Sequence, residues 1–326
     1  MQSVNDGVYR SPGLSDWMHC EEIARHHGRS FFLASRLLPP DRQRGVISTY
    51  AYCRVADDIV DRASGEGPTA TAEALARWTS QLTAPDEPIA VAFAHTRERY
   101  AIPMQPVSDL LSGIQMDLTV TRYENWEDLH RYCYHVAGTV GLMVAPILGC
   151  RDSKALRHAA DLGIAMQLTN ILRDVAEDAQ MGRIYLPLDE ISAFGCDPDA
   201  ILAGQPGRHF RELMAFQIDR ARALYASALM GVYALSPSGR LTTLAATKLY
   251  SGILSEIEAL DYDVYRMRAH VPTARKLRSM AGASTDFLRM SVMFRDQTAA
   301  VGVLPDMEAL YVSGRGQQAG ADARRT

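Results

Sequence analysis

Apolar residues return every three or four positions along most of this chain, the period of a helix with one buried face. Ile23, Phe31 and Ala34 fall on one face ahead of Pro39-Pro40, where a first helix must stop because proline lacks an N–H and crowds the preceding turn. The pattern predicts a second helix over 41–62, with Asp41 as its N-cap and Gly65-Glu66-Gly67-Pro68 as its terminator. Further helices are predicted over 70–83, 88–101, 106–121, 126–149, 154–181, 208–234, 238–268, 272–281 and 284–298. Alternating β-branched runs joined by Asn-Gly or Asp-Gly turns are missing, so the expected class is all-α. The longest irregular stretch, 182–208, carries Pro187, Pro198, Gly204 and Pro206 and reads as either a linker between two bundles or a loop over a site. Residues 1–15 are expected to be a flexible N-terminus, 16–312 the all-α domain, and 313–326, poor in large apolar residues, a disordered tail.

Composition narrows the function classes. The 326 residues are 47% hydrophobic and 22% charged, which suits a globular chain. Lys and Arg number 34 against 38 Asp and Glu, a net charge of −4 without a basic tract, so nucleic acid is not an expected partner. The five cysteines form no C-x-x-C pair, which argues against a disulfide framework or a zinc ribbon and for a reducing compartment. The first residues lack the basic and apolar regions of a secretory signal, and no apolar run is long enough for a membrane span. A cytoplasmic protein is expected, with peripheral contact at the inner face of the cell membrane left open. Tyr (14) outnumbers Phe (8), and Met is abundant at 14.

Two acidic helices carry the candidate chemistry. The first holds Tyr50-Ala51-Tyr52-Cys53-Arg54-Val55-Ala56-Asp57-Asp58-Ile59-Val60-Asp61. Asp57 and Asp61 lie four apart, on one face and about 6 Å apart along the axis, with Asp58 at the edge of that stripe. Like charges at that spacing oppose helix formation unless something neutralises them. A divalent cation would do so, and Mg2+ is bound through one or two carboxylates plus substrate phosphates. The plainer reading is a solvated acidic face paired with Arg54 or Arg62, and a motif this short matches by chance often enough to keep it open. The second helix puts Gln167, Asn170, Asp174 and Asp178 on one stripe while Ile164, Leu168, Ile171, Leu172 and Val175 supply packing. Short-armed amides and carboxylates suit close coordination of metal and phosphate oxygens. Two such helices facing each other could hold Mg2+ around a diphosphate and draw off its charge as a carbon–oxygen bond breaks.

Four segments, in order and spacing, resemble the squalene/phytoene synthase family of head-to-head prenyl synthases. They are His27-Gly28-Arg29-Ser30-Phe31, Tyr50 to Asp61, Tyr132-Cys133-Tyr134-His135-Val136-Ala137-Gly138-Thr139-Val140-Gly141, and Gln167 to Asp178 running on to Gly182-Arg183-Ile184-Tyr185-Leu186-Pro187. The resemblance spans about residues 18–290. A linear prenyl elongase would carry two D-D-x-x-D motifs, and a terpene cyclase an N-D-x-x-S-x-x-x-E pattern. Non-catalytic members of this superfamily lose the acidic residues, whereas both motifs stand here.

The resemblance implies a single-domain isoprenoid-synthase-type helical bundle around a central apolar cavity, with 182–206 as a flap or loop near its mouth. It implies Asp57, Asp61, Asn170, Asp174 and Asp178 as ligands of Mg2+, with Mn2+ as a substitute. It places Arg54, Arg173 and Arg183 as diphosphate partners, with Arg54 and Tyr132 counted beside the aspartates as catalytic. His27, Arg29, Ser30, Phe31, Tyr50, Gln167, Tyr185 and Tyr250 are implied around the substrate head, and Val136 and Ala137 beside the prenyl tail. Tyrosine rings can stabilise a carbocation through the π face, and their hydroxyls can bond a diphosphate oxygen. The implied reaction joins two prenyl diphosphates through a cyclopropylcarbinyl diphosphate, with released diphosphate as general base. The motif wording is nearest to bacterial members that make phytoene from two geranylgeranyl diphosphates, for which no NADPH is expected. The C30 enzymes that make squalene, dehydrosqualene or presqualene diphosphate from farnesyl diphosphate are the alternative. The small residues Ala34 and Ser35, a turn beyond Phe31, are expected to leave depth for a C20 tail. Expected partners are the prenyl diphosphates, a membrane surface and a downstream desaturase.

Overall fold

A computed structural model of the chain describes residues 9–61 and 68–293. Among them every regular element is helical. The order is α1 (Leu14–His27), α2 (Arg29–Ser35), α3 (Pro40–Asp61), α4 (Pro68–Ser80), α5 (Pro88–Arg99), α6 (Met104–Met116) and α7 (Trp126–Cys133), then a π-turn (Tyr134–Gly138). There follow α8 (Thr139–Ile147), α9 (Leu156–Gln180), α10 (Leu188–Ala193), α11 (Pro198–Leu202), α12 (Phe210–Met230), α13 (Pro237–Ala259) and α14 (Thr273–Met293).

Two apolar cores build one all-α domain. In the first, Ile164, Leu168, Leu172 and Val175 of α9 pack against Leu213 and Ile218 of α12 and Leu254 of α13. Their 3–4 spacing lines one face of α9, and each buried side chain contributes about 1.5–3 kcal/mol. In the second, Val46, Tyr52 and Ala56 of α3 pack with Phe93, Leu110, Leu111, Met143 and Ile147. The π-turn joins the halves. It touches both α6 and α9, and glycine makes the approach possible: a Cβ on Gly163 would sit 2.1 Å from the Ala137 carbonyl oxygen. The remaining faces of α3 and α9, with Tyr50, Arg54, Asp57, Gln167, Asn170, Arg173 and Asp174, are only half-buried.

Several expected boundaries move. The first helix breaks at Gly28, so Ile23 and Phe31 lie on different helices. Pro40 opens α3, placing Asp41 within the first turn, where it pairs with Arg99, rather than at the cap. The expected helix over 126–149 is interrupted by the π-turn. The helix expected through 268 ends at Ala259, because Asp261 and Tyr262 take left-handed backbones at φ 58° and 65°. Val264, Ala269 and Val271 are buried from the loop that follows. The two helices expected over 272–281 and 284–298 are one through Met293: Gly282 and Ala283 pack against α13 and do not interrupt it.

The stretch over 182–208 is neither a linker nor a free loop. Its amides at Ile184, Leu188 and Asp189 donate to the carbonyls of Thr121, Tyr123 and Glu124. It then forms α10 and α11, with Ile184, Leu186, Ile191 and Ile201 buried. At the other end, Tyr9 donates to Glu98 at 2.9 Å and Arg10 to Asp16, so an anchored chain begins ahead of residue 16. The expected tail over 313–326 and the side chains of Asp61 and Arg62 lie outside the described residues.

Candidate active site

The first acidic face is held by its own arginine. Arg54 reaches Asp57 at 2.8 Å and also pairs with Asp58, at the edge of the stripe. One turn earlier Tyr50 stacks on Phe31 of α2, ring centroids 4.9 Å apart. Gly28 permits this, since a Cβ there would lie 2.7 Å from Tyr50 Cζ. The break between α1 and α2 thus brings two of the segments that carry the resemblance into contact. Ser30 is half-buried at this junction, while His27 and Arg29 are exposed, with His27 edge-on to His26 at 4.7 Å.

On α9, Arg173 Nε donates to Asp174 at 2.7 Å. Arg268, from the loop after α13, donates to the same carboxylate oxygen at 2.8 Å and pairs with Glu177 at 3.2 Å. Burial pushes the Asp174 carboxyl up, but the two guanidiniums outweigh it and hold the group below its ordinary range. Asp178, one turn on, is the opposite case. Burial first, and then the charge of Asp174, raise its carboxyl to about 7, against the pull of Arg183. Gln167 and Asn170 continue the same half-buried stripe.

Tyr250 of α13 links the two faces. Its hydroxyl is pushed up by burial and lies in the field of Arg173, while Tyr50, also raised by burial, lies in the field of Tyr250, Arg54, Asp57 and Asp58. Neighbouring charges and hydroxyls therefore link Tyr50, Arg54, Asp57, Tyr250, Arg173, Asp174 and Asp178 into one connected set.

A third group flanks Asp178. Tyr132 and Tyr185 donate to the two oxygens of Asp117 at 3.1 and 3.3 Å, and their rings lie 5.3 Å apart. Tyr123 stacks on Tyr185 at 5.7 Å. Arg183 donates to the Asp117 carbonyl at 3.1 Å. Val136 and Ala137 sit half-buried in the π-turn that follows Tyr132. Ala34 and Ser35, expected on a cavity wall, are 1% exposed. Ala34 packs with Val232, Leu244, Ala245, Leu249 and Ala283, and the Ser35 hydroxyl donates to the Phe32 carbonyl at 2.8 Å, so protein covers both.

Sequence reasoning missed Asp117, Tyr123, Glu177 and Arg268. Asp117 is a lone carboxylate past the end of α6 with no partner a helical turn away, and Arg268 falls inside a predicted helix; neither leaves a spacing signal.

The donor set is all oxygen, as a hard divalent ion requires. Among the described residues no three Asp, Glu, His or Cys side chains converge on one metal-sized point. Protein carboxylates alone would give such an ion one or two ligands, which is how Mg2+ is held when phosphate oxygens complete its shell. Asp178, whose carboxylate form is disfavoured by burial and by the charge of Asp174, would be favoured by a cation placed there.

A family model described as squalene/phytoene synthase matches residues 24–275. A phytoene synthase of Arthrospira platensis is 41% identical over 279 residues, covering 79% of this chain and 89% of its own. A 15-cis-phytoene synthase of Synechococcus elongatus is 39% identical over 289 residues, covering 84% and 93%. Among solved structures, a dehydrosqualene synthase in complex with ligand superposes with a TM-score of 0.79 at 31% identity, over 84% of this chain and 97% of that one. A squalene synthase from Alicyclobacillus acidocaldarius gives 0.69 at 28% identity, over 76% and 95%.

Proposed function

The chain belongs to the squalene/phytoene synthase family, and from that membership we propose a prenyltransferase that joins two molecules of geranylgeranyl diphosphate head to head to give phytoene. The observation that carries the C40 product is identity of about 40% to several phytoene synthases over some four-fifths of the chain. The C30 enzymes are neighbours in fold, at 31% and 28% identity.

In this reading one substrate loses diphosphate to leave an allylic cation. The alkene of the second attacks it, and loss of a proton gives the cyclopropylcarbinyl diphosphate. That intermediate ionises, rearranges and loses a second proton to form a triene, with two diphosphates released in all. Arg54, Arg173 and Arg183 bind and orient the diphosphates, since guanidinium matches phosphate bidentately. Asp57, Asp61, Asn170, Asp174 and Asp178 would hold Mg2+, or Mn2+ in its place. When bound, the ion supplies Lewis-acid neutralisation of the leaving diphosphate. Tyr50 and Tyr250 close the polar end over the reacting carbons, Val136 and Ala137 border the tail, and released diphosphate takes the protons.

No helix among the described residues is long and apolar enough to cross a membrane. Cytoplasmic residence with peripheral membrane contact, and hand-over of an oil-soluble product to a desaturase, belong to the same proposal. The deciding experiment offers farnesyl and geranylgeranyl diphosphate, separately, with and without NADPH, and identifies the products by mass. A C40 triene from geranylgeranyl diphosphate, unaffected by NADPH, is expected. C30 products alone would overturn the C40 reading.

A further inference from the structure

We infer that Asp117 is a positioning residue for this reaction, engaging the hydroxyl hydrogens of Tyr132 and Tyr185 so that the two phenols serve a carbocation and not the diphosphate. The inference rests on the proposed reaction and names a group that neither acidic motif contains.

The geometry is specific. Each oxygen of the Asp117 carboxylate receives one phenol, Tyr132 on Oδ2 and Tyr185 on Oδ1. Tyr132 also lies within 3.5 Å of the Tyr185 hydroxyl, so the three groups form a closed triangle. Both tyrosines are buried, and burial raises both phenols, which keeps them protonated and donating. A phenol whose single hydrogen is given to a carboxylate has only lone pairs and a ring face left to offer. Those are electron-rich, and a hydrogen bond to a carboxylate makes them more so. They attract a cation and have no hydrogen for a phosphate oxygen. The triangle stands close to Asp178: the Arg183 amide donates to the Asp178 carbonyl at 2.9 Å and its guanidinium to the Asp117 carbonyl at 3.1 Å. It therefore flanks the polar end of the site, where the allylic cation forms in the proposed reaction.

The helix end does not call for an acid here. Asp117 caps the C-terminus of α6, where the helix dipole disfavours a negative charge and a lysine or arginine would stabilise. Its side chain turns instead to the two phenols, and Arg183 grips its carbonyl from the segment that also carries Tyr185.

The test is D117N, with D117E, Y132F and the double variant D117N/Y132F, all assayed with geranylgeranyl diphosphate. Asparagine keeps the size but presents one acceptor and one donor, so one phenol must reverse. D117N should lower kcat about 100-fold, or about 2.7 kcal/mol, with KM within about twofold. The double variant should be no worse than D117N within about threefold, because both changes break one unit. The Mg2+ concentration for half-activation should not move. D117E, with the charge kept and the acceptor displaced, should fall about tenfold in kcat; it carries the test if D117N does not fold. The inference is overturned if both variants keep kcat within about threefold of wild type, if KM alone rises, if the effects of D117N and Y132F multiply, or if the Mg2+ requirement shifts. Wild-type product is measured alongside. No C40 hydrocarbon from wild type would defeat the proposed reaction itself, whereas a C40 product with an unimpaired D117N defeats only the positioning role.

Discussion

Bulk at Ser35 separates a gauge of tail length from a packing position, and because protein covers the residue, S35F should act through packing. Ser35 ends α2, is 1% exposed and spends its hydroxyl on the Phe32 carbonyl. A phenylalanine ring there must take room either from the interior or from the packed contact between α2 and α13. If it takes the depth needed by the last isoprene unit of a C20 tail, five carbons lose burial. At ~0.8 kcal/mol per carbon that is at most about 4 kcal/mol. Half of that, about 2 kcal/mol, already lowers relative kcat/KM about 30-fold. If the ring only overpacks the helices, the fold loses about 1–3 kcal/mol and both substrates suffer alike. Steady-state kcat/KM for farnesyl and geranylgeranyl diphosphate, with thermal unfolding of S35F and of S35A as the control lacking only the hydroxyl, separates the cases. The C20:C15 ratio should stay within about threefold of wild type for both variants, with a lowered Tm in S35F, because protein covers Ser35. A ratio that falls at least about 30-fold in S35F while S35A stays near wild type would refute the packing reading and restore the gauge.

Three shorter predictions follow. D57N and D174N should each cost at least about 10²–10³ in kcat while the helical circular dichroism is retained; near wild-type turnover in either would remove that residue from the reaction. G28A has an ordinary backbone at φ −118°, so its cost is steric. Tyr50 must yield several tenths of an ångström, lowering stability by about 1–3 kcal/mol and kcat/KM about tenfold or more; unchanged thermal unfolding and kinetics would show that the contact does not constrain the ring. D178N should stabilise the metal-free protein at alkaline pH while abolishing turnover. The folded carboxyl titrates at about 7 against 3.8 ordinarily, so it holds its proton better folded than unfolded. Its contribution is present below pH 3.8 and lost as pH rises through 7, and the slope of Tm against pH over that window should be shallower in D178N.

What could be read from the sequence depended on whether a feature had a period. The stripe from Gln167 to Asp178 repeats at helical spacing, and α9 presents it as a continuous half-buried face. The break at Gly28 has no period. It follows from a Cβ that would strike Tyr50, a residue 22 positions away whose nearness only the fold reveals. The π-turn is hidden for a similar reason: one extra residue in a turn leaves the apolar pattern of 126–149 nearly intact, yet it holds Val136 and Ala137, both half-buried. Arg268 and Asp117 meet the motif residues across distances of 94 and 15 positions, to Asp174 and Tyr132, and single residues at such separations carry no local signature.

The charge around the site bears on whether diphosphate can bind alone. Among the described residues, Asp57, Asp58, Asp174, Glu177 and Asp178 are set against Arg54, Arg173, Arg183 and Arg268. The arginines are thus largely engaged, and most of these pairs are partly exposed, so each contributes only about 0–1 kcal/mol and is cheaply exchanged. A guanidinium can therefore leave a carboxylate for a phosphate at little cost. The exchange returns the freed carboxylate to an unneutralised state beside a group that already carries several negative charges. Diphosphate without a divalent ion should consequently bind weakly, and the ion without diphosphate should also bind weakly, since among the described residues no three protein ligands converge. Calorimetry of the wild-type protein with inorganic diphosphate, with Mg2+ and with both measures this directly. The combined titration should be tighter than either alone by about tenfold or more, a coupling of at least about 1.4 kcal/mol, and chelation should return it to the weak value. Equal diphosphate affinity with and without Mg2+ would mean that the arginines alone neutralise the ligand and that the carboxylates have another purpose.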